Sequence, residues 1–308
     1  MKIALVALLL SLLSLLSGFA GQARAEVRVT DDAGHALALA KPARRVISLA
    51  PSLTEMLYEA GGGDRLVGTV EFSDFPPAAL KVPRIGNNQK LDLESIVALK
   101  ADLILVWVHG NATREVDKLA TLGIPMVHLD PRRIDDIPRT IERIGVLVGT
   151  ERTAHEAAQR FQTRYDDLRA HYADRPPVRV FYQVADSPLL TVNDHQIISD
   201  VIDLCRGRNV FGKEKQLVPQ LSTESVVAAN PDVIIAAQLA SPDGAGKSPV
   251  RAAKDPSLAM WAPFSGMNAV KTGQLWLVPG DSISRHGPRI LDGAQAICTA
   301  LDEARKAK

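Results

Sequence analysis

Asp281, Arg285, His286 and Arg289 crowd one short stretch of this 308-residue chain, PGDSISRHGPR, directly after the apolar run QLWLV. Ligands of open α/β sheets collect beyond the carboxyl ends of the strands, so a polar cluster placed there is a candidate binding loop. Arg285 is the group best suited to it, because a guanidinium can hydrogen-bond the edge of an amide or a carboxylate. The same residues could equally form a solvated loop in which Arg289 pairs locally.

A second candidate comes as a pair. LDLESIVALKADLILV, from Leu91 to Val106, is nearly restated as LSTESVVAANPDVIIA, from Leu221 to Ala236, with seven of sixteen positions identical at an offset of 130 residues. Glu94 and Glu224 are among them, each in the first turn of an expected helix, just after Asp92 and Ser222 as N-caps. Acids are favoured there by capping and by the helix dipole alone. Their symmetric placement adds a second reading, in which two carboxylates on one face dock a two-fold symmetric partner.

Catalytic chemistry finds little support. AGGGDR lacks the G-x-G-x-x-G spacing of a dinucleotide site, and neither a G-x-S-x-G elbow nor a Walker A lysine occurs. The seven histidines are scattered, with no pair at metal-ligand spacing, so neither a metal site nor an enzyme is expected. His109 and His286 are kept as candidates because both follow strand ends.

The elements that must position these groups alternate. RRVISLA, LVGTV, DLILVW and PMVHLD read as strands, with PSLTEMLYEAGGG, LESIVALK and REVDKLATLG as helices between them. After Pro177 the order restarts with VRVFYQV, IISDVIDLC, DVIIAAQ and QLWLVP. The pattern predicts an α/β fold of two lobes, each a mainly parallel sheet flanked by helices. Between them, Ala154, Ala157, Ala158, Phe161, Tyr165, Leu168 and Tyr172 mark one apolar helical face of roughly six to seven turns. This reads as a rigid connecting helix over 150–175, between an N-terminal lobe at 26–149 and a C-terminal lobe at 176–308. Residues 239–257, beginning LASPDGAGKSP, are expected to form a surface excursion.

Residues 1–25 read as an export leader: Lys2, an apolar run, then the small-x-small site Ala23-Arg24-Ala25. Cleavage after Ala25 would give a soluble periplasmic protein, with no cysteine near the cut to carry lipid. The chain holds 36 Lys and Arg, two of them in the leader, against 35 Asp and Glu. Such a balance argues against nucleic acid or an anionic membrane as partner. Cys205 and Cys298, both on apolar helical faces, would be core thiols in a reducing cytosol; export favours a disulfide between them.

RVISLAPSLTEMLYEAG, SDFPP, LDLESIVALKADLILVWVHGN and VIDLCRGRNVF resemble the periplasmic cobalamin-binding proteins that serve ABC importers. These belong to the helical-backbone class of substrate-binding proteins shared with siderophore and haem binders. The resemblance runs from about Val29 to Leu301 and implies two α/β lobes joined by one long helix, with the ligand in the cleft between them. It implies that Glu94 and Glu224 form salt bridges with a permease dimer in the inner membrane, and that Cys205 and Cys298 are the family disulfide. Asp281, Ser282, Ile283, Ser284 and Arg285 match a corrinoid-contacting loop, with its Asp and Arg kept. Phe72 stands for a tyrosine of the site, Asn88 and Val218 for tryptophans, and Leu190 for a phenylalanine. Trp107, Tyr182 and the loop around Trp261 are the aromatic groups left to compensate.

The expected function is therefore capture of cobalamin or a related corrinoid by a monomer, as transported ligand rather than resident cofactor, and its delivery to the permease. A haem or ferric-siderophore binder is the alternative within transport, and a periplasmic enzyme or sensor module the alternative outside it.

Overall fold

The computed structural model describes residues 26–238 and 248–307; the leader at 1–25 and the first part of the expected excursion, 239–247, lie outside the described residues. A hairpin of β1 (Val27–Thr30) and β2 (Ala36–Leu39) precedes the first α/β repeat. That repeat runs β3 (Val46–Ser48), α1 (Pro51–Glu59), β4 (Leu66–Thr69), α2 (Leu93–Ala98), β5 (Leu103–Trp107), α3 (Thr113–Ala120), β6 (Met126–Leu129) and α4 (Asp136–Val148). Its four strands are parallel, in the order β4-β3-β5-β6. Gly149, at φ 67°, ends α4 in a left-handed turn where a side chain would be strained.

Helix α5 (Glu151–Tyr172) then carries the chain across. Its inward face, Ala154, Ala157, Phe161, Tyr165 and Tyr172, is buried. The second lobe continues with β7 (Val178–Gln183), the small hairpin β8 (Ala185–Asp186) and β9 (Leu189–Leu190), α6 (Ile197–Leu204), β10 (Gly207–Asn209), α7 (Thr223–Ala229) and β11 (Val233–Gln238). It closes with β12 (Val250–Arg251), α8 (Pro256–Ala259), α9 (Asn268–Lys271), β13 (Leu275–Pro279), α10 (Gly280–Ser284) and α11 (Ile290–Lys306). The sheet order is β10-β7-β11-β13-β12, parallel except for the edge strand β12.

The two sheets share one topology. In each, the first strand of the repeat lies centrally, the second flanks it on one side, and the third and fourth follow on the other. The order reverses between β3 and β5 in one lobe and between β7 and β11 in the other, which opens a crevice at the strand ends of each. The repeated aspartates now have a physical reason. Asp102 accepts from the backbone N–H groups of Arg44 and Arg45, and Asp232 from that of Arg179. Each fastens the start of its lobe's central strand to the turn before the third.

One apolar cluster runs through both lobes, from Leu53 and Leu105 through Phe161 and Tyr165 of α5 to Ile202 and Ile297. Helix α5 packs on α4 and touches α11, so it is built into both lobes rather than strung between them. Cys205, at the end of α6, is bonded to Cys298 of α11, with the sulfurs 1.98 Å apart. Both are fully buried and close a loop of 93 residues.

Two expectations need correction. The stretch after QLWLV begins as the one-turn helix α10 rather than a loop, and this turn drives Ile283 into the core, where its side chain offers nothing to a ligand. Trp261 is also fully buried; its indole N–H donates to Gln183 at 2.7 Å and its ring meets Phe181 and Phe264. It belongs to the core of the second lobe, and supplies no aromatic wall.

Candidate functional site

A cleft cavity of 260 Å³ opens between the lobes at the carboxyl ends of the strands. The first lobe contributes Trp107, from the end of β5, with His109, Asp130 and Arg132. The second contributes Tyr182 at the end of β7, His195 and Gln196 at the start of α6, Val218 and, after α10, Ser284 and His286.

Each wall is held by local chemistry. The backbone N–H of Trp107 donates to Asn111 Oδ1 at 2.7 Å, and Asn111 Nδ2 donates to the Leu49 carbonyl, so β5 cannot drift from β3. Position 110 has to be glycine, since a Cβ there would lie 1.8 Å from the Trp107 ring. Asp130 binds His109 Nδ1 at 2.7 Å and Arg132 Nε at 2.6 Å, which makes the first-lobe wall charged and ordered. The second-lobe wall is more apolar. Tyr182 is fully buried beneath it, and burial pushes its hydroxyl pKa up despite a hydrogen bond with Ser284.

His286 sits where the two walls meet. Its ring packs edge-to-face on Trp107 with centroids 5.7 Å apart, and its Nε2 lies 3.1 Å from Gln196 Nε2. Burial lowers its pKa to about 4, outweighing the opposing charge of Asp130, so the imidazole is neutral at ordinary pH.

Arg285 faces differently from the expectation of a free ligand-binding cation. It reaches across to the first lobe, where it meets Asp74 at 2.5 Å and Glu55 at 3.3 Å, and it also pairs with Asp281 of its own lobe at 3.1 Å. Arg289 adds a two-pronged bond to Glu55, at 3.0 and 2.7 Å, and its guanidinium lies 4.2 Å over the Phe75 ring. Glu55 stands on the buried face of α1, with its side chain 2% exposed. Burial alone would push the Asp74 carboxyl up, but Arg285 outweighs it and holds it below its ordinary value. A second interlobe tie lies on α6. Asp200 accepts from the Ile134 N–H at 2.8 Å and pairs with Arg133 at 2.9 Å.

Of the other residues expected at the site, Val218 and Ser284 line the cavity, while Phe72 stands 74% exposed, with φ 62°. Asn88 donates to the Gly110 carbonyl behind Trp107. Leu190 bridges to Gln220, and Asp281 and Ser282 lie on α10. None of these last four, nor Phe72, Ile283 or Arg285, is among the residues lining the cavity. Glu94 and Glu224 are exposed, in the first turns of α2 and α7, behind the caps Asp92 and Ser222, which accept from Ser95 N and Ser225 N.

Sequence reasoning missed Glu55, Asp74 and His195. Asp74 lies within SDFPP, and Glu55 is flanked by Leu53, Met56 and Leu57 on an apolar helix, a placement that marks an acid destined for a buried partner. Spacing also hid a histidine pair: His35 and His128 meet at Asp31, with three possible metal-ligand atoms within 4.8 Å. There the carboxylate already accepts from the N–H groups of Ala33, His35 and His128 and from the His128 ring, which makes it the anchor of the β1–β2 hairpin. A larger hollow, of 670 Å³, lies beside the edge strand β10, where Arg179, Arg206, Arg208 and Lys213 give it a cationic lining without aromatic walls.

Residues 46–281 match the family described as periplasmic binding protein. The vitamin B12-binding protein of Vibrio cholerae serotype O1 is 36% identical over 266 residues, 86% of this chain and 91% of that one. The vitamin B12-binding protein of Yersinia pestis is 37% identical over 262 residues, covering 85% and 88%. The crystal structure of the periplasmic vitamin B12-binding protein of Vibrio cholerae superposes with a TM-score of 0.76, over 86% of this chain and 99% of that one.

Proposed function

The chain belongs to the periplasmic binding protein family, and we propose that it captures cobalamin or a related corrinoid in the cleft and hands it to the permease of an ABC importer. The observation that carries this reading is the interlobe cleft itself. It is lined from both lobes, with Trp107, Val184 and Val218 for apolar contact and polar groups at one side, which is how small-molecule sites are built. A whole corrinoid is larger than the cavity, so it sits across the mouth, against Val218 and Ser284. Aromatic rings give such a ligand large contact at low entropic cost.

Arg285 enters this account as a shared cation. It exchanges Asp74, on the exposed side of the ion cluster, for an acceptor on the ligand, while the buried Glu55–Arg289 bond keeps the lobes together. Release follows docking of Glu94 and Glu224 onto basic groups of a two-fold permease, one carboxylate per lobe. The protein works as a monomer in the periplasm, with the corrinoid as cargo.

The test is retention. Mature protein equilibrated with cyanocobalamin and passed through gel filtration is expected to carry the corrinoid's visible absorbance at about one per chain. Protein that emerges colourless would remove the reading.

A further inference from the structure

Asp31 and His35 stand at the two ends of the turn between β1 and β2, and His128 meets them from β6, the edge strand of the first-lobe sheet. The Asp31 N–H donates to the His35 carbonyl at 3.0 Å, which closes the turn and brings the His35 ring to the Asp31 carboxylate. His35 Nδ1 lies 3.5 Å from Oδ2, and His128 Nδ1 lies 2.9 Å from the same oxygen. The two rings meet edge-to-face, with centroids 5.4 Å apart.

The carboxylate between them has no acceptor site to spare. Oδ1 accepts from the N–H groups of Ala33 and His35, at 3.0 and 2.7 Å, and Oδ2 accepts from the His128 N–H at 3.1 Å and from the His128 ring. An ionised carboxylate offers about four lone-pair sites, all of which are taken, and since it cannot donate, the proton of that last bond belongs to His128 Nδ1. Anchoring the hairpin thus needs one histidine. The second imidazole, drawn up to the same oxygen without a hydrogen bond among the described residues, is what anchoring leaves unexplained.

One cation among the three groups serves them all. One ligand atom from each of Asp31, His35 and His128 lies within 4.8 Å of the other two. Nitrogen and oxygen ligands roughly 2.0–2.2 Å from zinc stand about 3.2–3.6 Å apart, so the spacings around Oδ2 need little adjustment. The remainder comes from His35, whose side chain is 70% exposed and has room to turn. The ion replaces the His128 Nδ1 proton, which passes to water, and the two lone pairs that shared that proton become two of its bonds. The backbone N–H groups of Ala33, His35 and His128 hold the carboxylate in place, the support that metal-binding carboxylates characteristically receive. We infer that Asp31, His35 and His128 form a site for a zinc-like divalent transition ion, completed by water on the exposed side, which clips the β1–β2 hairpin to β6. Two imidazoles with one carboxylate suit zinc and its first-row neighbours better than calcium or magnesium, which prefer oxygen throughout. The site is independent of the corrinoid reading. It adjoins the first-lobe wall without entering the cavity, since Asp32, next in the turn, accepts from the Asp130 N–H at 2.7 Å.

The test uses mature protein carrying no histidine tag, stripped with a chelator and titrated calorimetrically with zinc chloride. The parent is expected to bind about one ion per chain and to melt at a higher temperature with zinc than without. 1H–15N NMR is expected to show the ring nitrogens of His35 and His128 shifting most on zinc addition, among the seven histidines. H35A removes an exposed ring that the fold does not need. It is expected to keep the metal-free melting temperature of the parent while losing at least about tenfold in zinc affinity, and with it the zinc-dependent rise. H155A, which removes a histidine paired with Glu142 elsewhere on the surface, is expected to bind zinc as the parent does. A parent without saturable zinc binding would overturn the site. So would H35A binding as tightly as the parent, or H155A losing as much affinity as H35A.

Discussion

Helices α2 and α7 are built almost identically, whereas the walls of the cleft have little in common. Each helix starts from a capping side chain that accepts from the third residue on, buries one apolar residue (Ile96 or Val226), and exposes a glutamate beside the cap. Neither Glu94 nor Glu224 joins an ion pair among the described residues, although hydrogen bonds from its own backbone and from Ser222 lower the Glu224 pKa. The repeated aspartates, by contrast, each accept from the backbone at the start of a central strand. Across the cleft, the first lobe offers one indole with His109, Asp130 and Arg132, and the second an apolar shelf with Gln196 and His286. Repetition thus survives where a two-fold partner would read it and has been lost where an asymmetric ligand would lie.

The sharpest way to break that comparison is to reverse both glutamates. The double variant E94K/E224K is expected to reduce corrinoid uptake in cells to background while calorimetric affinity stays within about twofold; a parallel loss of affinity would merge the two regions into one. The disulfide comes next, because it belongs to the second lobe alone. C205S/C298S is expected to lose about 4 kcal/mol in chemical denaturation, on the chain-entropy account of a 93-residue loop. Unaltered stability would show the second lobe needs no staple that the first lacks. Glu55 separates the interlobe tie from both. E55Q leaves Arg289 without its buried anion and is expected to cost about 3 kcal/mol. Its uptake defect should follow ligand affinity rather than docking, as surface plasmon resonance against the isolated permease would show.

The smallest effect is on the acid side. Because the folded pKa of His286 is about 4, below that of the unfolded chain, the unfolded state takes up a proton first as pH falls below roughly 6.5. Stability contributed by the neutral ring is therefore complete above that pH and declines towards pH 4, by about 1–3 kcal/mol in all. Arg132 and Asp130 face the same cavity with opposite signs. The difference between the parent and H286N in thermal melts at pH 7 and pH 4.5 isolates the histidine; equal slopes would contradict its burial.

Most of the fold could be read from the chain because it rests on local periodicity. The two βα series, the caps at Asp92 and Ser222, and the long helix through Ala154, Phe161 and Tyr172 each announce themselves within a few turns. The site was legible only in part, because its decisive contacts join residues far apart. Glu55 and Arg289 lie 234 positions from one another, and Gln196 and His286 lie 90. Ile283 and Trp261 depart from expectation for a related reason: type and resemblance name a residue, but the turn of α10 and the packing of the second core decide which way it points.

Calorimetric titration of the mature protein with cyanocobalamin, run beside haemin and a ferric siderophore, tests the central claim most directly. The account predicts tight one-to-one binding of the corrinoid and no comparable response to the other two. Saturable haemin or siderophore binding without cobalamin heat would contradict it.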